Sequence, residues 1–277
     1  MEEIKVGEEI ELTAPITSPA VDSLVIVHEW GTTRVQTGAN LNKWTPDSIG
    51  VHKLFFKAGT DVVSSPVFKE AYVPIINYDE FITDTPALSA LSEDDFNLCE
   101  KEIRRIVQNY CGQKFGPYVG QTIEVQGDGG DSLVLPAPAL ALTSVQDSFG
   151  TELTHYVDIS AGFNTSISTK PTYTSHWVDT KADVSFRMRD MFRETQVYVI
   201  EGDFGWEYVP SDVSAAARML IADVFTNELT GQIQMGVVET QLGDFKLKLN
   251  ADRWGSTGNG KADNMLAGYV NFGIGLV

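Results

Sequence analysis

The sequence predicts an α+β chain: a small all-β sandwich over residues 1–76, then a helical domain with long helices and β-hairpins over residues 79–277. Three observations predict it. The first 76 residues alternate short branched and aromatic runs with turn residues and show no helical period. Two later stretches, 92–112 and 211–231, carry apolar residues at helical spacing between a capping serine and a glycine. Short extended runs separated by glycine-rich turns lie between and after them.

The strand candidates of the first region are 8–14, 21–30, 51–57 (VHKLFFK) and 67–73 (VFKEAYV). Turn residues punctuate them, among them Pro15, Pro19, Gly31, Gly38, Pro46, Asp47, Gly50 and Pro66. Strands this short, at this spacing, suit an immunoglobulin-like sandwich. Residues 74–86 hold Pro74, Asn77, Asp79, Asp84 and Pro86 with few periodic apolar positions, so they read as the boundary.

The first long helix begins at Ser92, whose side chain can cap it with Asp95 in a variant capping box. Phe96, Cys99, Ile103, Ile106, Val107 and Tyr110 share one face. Lys101, Glu102, Arg104, Arg105 and Gln108 lie largely on the other, which suits either solvent or an acidic partner. Gly112 is placed to end it. Residues 122–125 and 132–135 read as a hairpin around GDGGD, and 140–145 as a further strand. Asp128 and Asp131 invite a calcium reading, but the regular oxygen spacing and distal Glu of an EF-hand loop are missing. More strand candidates follow at 153–159, 173–178, 184–188 and 196–200, with a polar Ser/Thr-rich loop at 162–172.

Residues 202–225 organise the rest. Gly202 and Gly205 permit a tight turn, Pro210 blocks a central strand, and Ser211 caps a helix with Asp212 in its first turn. Val213, Ala216, Ala217, Leu220, Ile221, Val224 and Phe225 recur at helical spacing. The small side chains at Ala215, Ala216 and Ala217 let another helix approach closely. A short strand at 237–240, an alternating strand at 243–249 (GDFKLKL), a glycine-rich loop at 252–261 and a short helix at 262–269 follow. The apolar tail VNFGIGLV closes the chain and calls for somewhere to dock.

A formal net charge of -18 argues against nucleic acid or an anionic membrane as a binding target. It is compatible with an acidic wall past which DNA slides. Cys99 and Cys111 fall on one helix, roughly 18 Å apart at ~1.5 Å per residue, too far for a disulfide. The N-terminus lacks the basic and apolar regions of a signal peptide, and no segment reaches ~20 apolar residues. His28, His52, His155 and His176 show no metal-ligand spacing. There is no G-x-S-x-G elbow and no Walker-type loop. The motifs give no anchor for a catalytic reading, a cofactor or a metal.

Four segments together resemble the head-tail connector (adaptor) proteins of tailed phages. These are SEDDFNLCEKEIRRIVQNYCG, DSLVLPAPALALTSV, GDFGWEYVPSDVSAAARMLIAD, and LGDFKLKLN with STGNGKADNMLAGY. The resemblance covers residues 81–277. The N-terminal β module and the long stretch 150–195 depart from the short members of the family. The resemblance implies a structural virion protein of the phage neck, assembled in the host cytoplasm. Its copies would form a ring, dodecameric in the usual form, beneath the portal. The ring extends the DNA channel and joins head to a downstream neck or tail protein, with DNA only as a passing neighbour. By this resemblance Phe96, Ile103, Val107, Leu220, Ile221 and Val224 belong to the ring-core helices. Tyr269, Phe272, Ile274 and Leu276 would dock on the portal or a neighbouring subunit. The alternative is a β-rich neck or tail decoration protein that binds the host surface through residues 1–76.

Overall fold

The computed structural model describes residues 2–14, 20–38, 41–127, 129–130, 132–159, 166–169, 192–230, 237–242, 245–249 and 256–270. The chain divides into two compact units, each built from separated segments. One joins Met1–Tyr72 to Gly116–Glu207, and the other joins Val73–Phe115 to Tyr208–Val277.

The first unit holds a six-stranded sheet. It comprises β1 (Glu2–Lys5), β3 (Ser23–His28), β4 (Thr33–Thr37), β6 (Gly50–Ala58), β7 (Asp61–Val62) and β8 (Val67–Tyr72). The order is β1-β8-β6-β3-β4, with β7 paired to β6. β1 runs parallel to β8, and the other pairs are antiparallel. Alternation decides which face is buried. Leu24 and Ile26 of β3 and Leu54 and Phe56 of β6 point inward, where Ile4 and Trp44 join them. Among the described residues the second layer is a two-stranded ribbon, β2 (Ile10–Glu11) with β5 (Lys43–Trp44). The predicted sandwich is therefore corrected to one full sheet covered by a ribbon.

The same unit takes in a three-stranded sheet from the middle of the chain, ordered β11 (Ala139–Asp147), β14 (Val197–Gly205) and β9 (Pro117–Gln126). A smaller sheet orders β10 (Ser132–Val134), β13 (Ser166–Thr169) and β12 (Val157–Ile159). β14 continues through Gly202, which the sequence reads as part of a turn, with a register shift against β9 between Gly202 and Phe204. A Cβ at Gly202 would strike the Ala141 carbonyl, so glycine serves close strand approach there, and the turn comes only at Gly205, φ +86°.

The second unit holds α1 (Tyr78–Asp84), α2 (Glu93–Cys111), α3 (Ser211–Thr230) and α4 (Gly260–Leu266), with the hairpin β15 (Val237–Leu242) and β16 (Phe245–Leu249). The helix starts and stops follow their caps. Ser92 Oγ accepts the Asp95 N–H at 3.2 Å, and Gly112 ends α2 at φ 65°. In α3, Val213, Ala216, Ala217, Leu220 and Ile221 are buried, and the helix packs on both α2 and α4. The predicted boundary 74–86 is not a linker: Ile75, Ile76 and Phe81 are buried, and the Phe81 ring lies 5.1 Å from that of Phe96.

The expected fold class is thus overturned. Strand residues outnumber helical ones among the described residues, and residues 79–277 do not make a helical connector domain. Among the described residues six strands, β9 to β14, fall between α2 and α3. β14 pairs with β9 and β11, and β10 with β13, across dozens of residues of chain, which local periodicity does not encode.

Candidate functional site

The most chemically distinctive cluster sits inside the first unit, between the inner face of the six-stranded sheet and β9. His28 ends β3, and His52 lies directly opposite on β6. Both are 4% exposed, and their ring centroids are 4.9 Å apart. His28 Nδ1 accepts the Trp30 N–H at 3.2 Å, so Nε2 carries the proton and donates to the Ile49 carbonyl at 2.8 Å. His52 Nδ1 donates to the Gly50 carbonyl at 3.1 Å. Burial first, and the neighbouring His28 second, hold the His52 imidazole down to about 4. His52 is therefore neutral at pH 7.

Aromatic rings enclose the pair. Trp44 lies 4.9 Å from His52, and Tyr118 of β9 lies 5.8 Å from His28. Trp30 stacks on Tyr118 at 4.0 Å and 19°. Burial, then the charges of Glu29 and Glu70, push the Tyr118 phenol above its ordinary range. Polar bonds tie the same elements together. Ile49 N donates to the Pro117 carbonyl at 2.9 Å, Val119 N to Ser48 Oγ at 2.9 Å, and Thr122 N to Thr32 Oγ1 at 3.0 Å. Arg34 pairs with Asp47 and also donates to the Val119 carbonyl at 2.8 Å. A cavity of about 20 Å³ remains, lined by His28, Thr32, Arg34, Trp44, His52 and Gln121 among others. That is room for a single water. Gln121 is 2% exposed, and its Oε1 meets no hydrogen-bond donor among the described residues.

Each ring nitrogen of His28 has a backbone partner, and His52 spends its proton on a carbonyl. The cluster is built as a joint that fastens β9 to the N-terminal sheet. The spacing of the histidines along the sequence assigns neither of them a role. A period-2 signal was present, because His28 shares parity with Leu24 and Ile26, and His52 with Leu54 and Phe56.

The residues assigned to ring-core helices come together in the second unit. Phe96, Ile103 and Val107 of α2 and Leu220 and Ile221 of α3 are buried, and Val224 is half-buried. They pack against their own chain. Arg104, which the helical wheel sends toward solvent, is 4% exposed and pairs with Glu100 at 3.3 Å. Glu100 also accepts the Ile75 N–H at 2.8 Å. Of the docking residues, Tyr269 is half-buried, with its carbonyl accepting from Gln113 at 2.5 Å and its ring 6.1 Å from Phe115. Phe272, Ile274 and Leu276 lie outside the described residues, as do Asp128, Asp131 and the strand candidates 173–178 and 184–188.

Residues 256–259, just before α4, form a capping device. Asn259 Oδ1 accepts the N–H groups of Lys261 and Ala262, while Asp263 accepts from Ser256 and Thr257 at 2.6 to 2.8 Å. Among the described residues no group of His, Cys, Asp and Glu could hold a metal ion, and no helix is long and apolar enough to cross a membrane.

The sequence matches no protein-family model and no curated protein.

Proposed function

We propose that the protein is a structural subunit of a phage neck. Copies of it assemble into a ring beneath the portal, extend the DNA channel and bind a downstream neck or tail protein. The observation that supports this most is the element order of the second unit. A capped helix of 19 residues, a 20-residue helix with small side chains at Ala215, Ala216 and Ala217, a two-stranded hairpin and a short capped helix follow one another there. They take in three of the four segments that carry the resemblance, in whole or in part, whereas DSLVLPAPALALTSV lies in the first unit. The hairpin β15–β16 adds to it, since it pairs with no third strand among the described residues. An isolated two-stranded hairpin is marginal in water, so a neighbouring surface would stabilise it. The reading calls for no cofactor and no catalytic group, and DNA passes without being recognised.

The test is light scattering and electron microscopy of the full chain, alone and mixed with its portal. Rings, or a portal complex, are expected. A chain that stays monomeric at tens of micromolar and leaves the portal unbound would reject the reading.

A further inference from the structure

The outer face of the six-stranded sheet is more apolar than a solvent face needs to be. Alternation sends Leu24, Ile26, Leu54 and Phe56 inward, so Val25, Val27, Lys53 and Phe55 point outward. Cross-strand register sets them in two adjacent rows, Val35–Val25–Phe55 and Val27–Lys53–Phe68. Val35 is 61% exposed and Phe68 50%, Phe55 and Val27 are half-buried, and Val25, between Val35 and Phe55, is 4% exposed. Lys53 holds its ammonium 5.7 Å from the centre of the Phe55 ring, and Lys57 lies two residues further along the same face. Two cations thus sit over an apolar stripe in a chain of net charge -18. Glu70 and Glu3 on this face are peripheral, lying opposite each other beside Val51, while Val62 lies opposite Lys57.

The complement of that stripe is the turn after β11. Phe149 stands at its tip, 84% exposed. The turn is fixed from inside. Asp147 Oδ1 accepts the N–H groups of Phe149 at 2.9 Å and Thr151 at 2.8 Å, and the Asp147 carbonyl accepts that of Gly150 at 2.9 Å. Glu152, bonded to Thr154 and Gln146, flanks it. Burial raises the Asp147 carboxyl, but the bonds from Thr151 and Phe149 outweigh it and leave it below its ordinary value. Hydrogen bonds from Thr154 bring Glu152 down to about 2. Both flanks are anionic at neutral pH. An aromatic side chain on a turn already held in one shape loses little freedom on docking.

We propose that the Phe149 turn of one copy seats on the Val35–Phe55–Phe68 face of the next, with Asp147 and Glu152 meeting Lys53 and Lys57. The stripe calls for a narrow apolar occupant with acidic flanks, and this turn has all three properties. Pairing stripe with stripe would instead set lysine against lysine. Two different patches joined by one operation make a heterologous contact, the kind that closes into a ring when the rotation allows. The inference rests on the ring reading above and names the surfaces that would build it.

The experiment uses the full chain in sedimentation velocity over a concentration series, with Phe149→Ala and Lys53→Glu as variants. Both side chains are exposed, and unchanged far-UV circular dichroism checks the fold. Each variant is expected to need at least about tenfold more protein to associate, the size of effect seen when an interface anchor is truncated. A second arm mixes Phe149→Cys protein with Phe68→Cys protein under mild oxidation. Cys99 and Cys111 are buried and stay silent. A covalent dimer is expected in the mixture and in neither protein alone. Wild-type rings with undiminished assembly of Phe149→Ala would overturn this contact and leave the ring reading standing. Cross-linking of Phe149→Cys with itself would overturn the head-to-tail geometry. A monomeric wild type with no cross-link would overturn both.

Discussion

Acid should loosen the first unit through His52, and by an amount the structure sets. The imidazole is held at about 4 against an ordinary value of 6.5. Because the folded value is the lower one, the unfolded chain takes up the proton first. The stabilisation is complete above pH 6.5, falls as the pH drops from 6.5 toward 4, and is gone below that. At about 1.36 kcal/mol per pH unit, the drop from 6.5 to about 4 amounts to roughly 3 kcal/mol. Native stabilities are only about 5–15 kcal/mol, so the effect is large. The assay is urea unfolding between pH 4.5 and 7.5, followed by tryptophan fluorescence, since the Trp44 ring lies 4.9 Å from His52. Carboxylates titrate in the same range, so the wild type is compared with His52→Asn. That variant keeps an N–H for the Gly50 carbonyl and lacks the titrating ring. It is expected to be less stable at pH 7.5, by about 1–2 kcal/mol for the lost volume. Its pH dependence between 6.5 and 4.5 should be shallower by up to one proton. Parallel pH profiles for the two proteins would refute the reasoning.

Three further outcomes are expected. Arg104→Leu leaves the Glu100 carboxylate, 4% exposed, without its guanidinium and should cost about 3–5 kcal/mol in urea unfolding. The double change Glu100→Gln with Arg104→Met should cost less than that single one. Burial pushes the Cys111 thiol up to about 12, so a thiol reagent at pH 8 should leave it unmodified until denaturant is added. Gly202→Ala drives a methyl into the Ala141 carbonyl between paired strands, and a loss of about 1–3 kcal/mol should appear in thermal unfolding.

What could be read from the sequence was whatever is encoded locally. The spacing of Phe96, Ile103 and Val107 between Ser92 and Gly112 gives α2 nearly to the residue, because cap, stripe and stop lie within one segment. The burial of Leu220 and Ile221 on α3 follows in the same way. A helical wheel sends Arg104 to solvent because it scores a residue by its type. A buried Glu four residues away changes what arginine can tolerate. The joint around His28 and His52 was invisible for a different reason. Tyr118 and Gln121 reach it from β9, dozens of residues along the chain, and no local pattern says which strands will meet there.

That same non-locality decides how the chain can be divided. The predicted boundary would make residues 79–277 a separable piece, yet residues 116–207 belong with Met1–Tyr72. Cutting before residue 79 would strip β9 of the Ile49, Ser48 and Thr32 bonds and take Trp30 off the Tyr118 ring. It would also uncover Gln121 and Tyr118, which are 2% and 6% exposed in the intact chain. An exposed strand with an apolar flank is prone to pair with other copies. Such a fragment would associate whether or not the intact protein forms rings, so its behaviour would carry no information about assembly. Point changes on the surface of the whole chain, such as Phe149→Ala, leave that joint closed and read assembly directly.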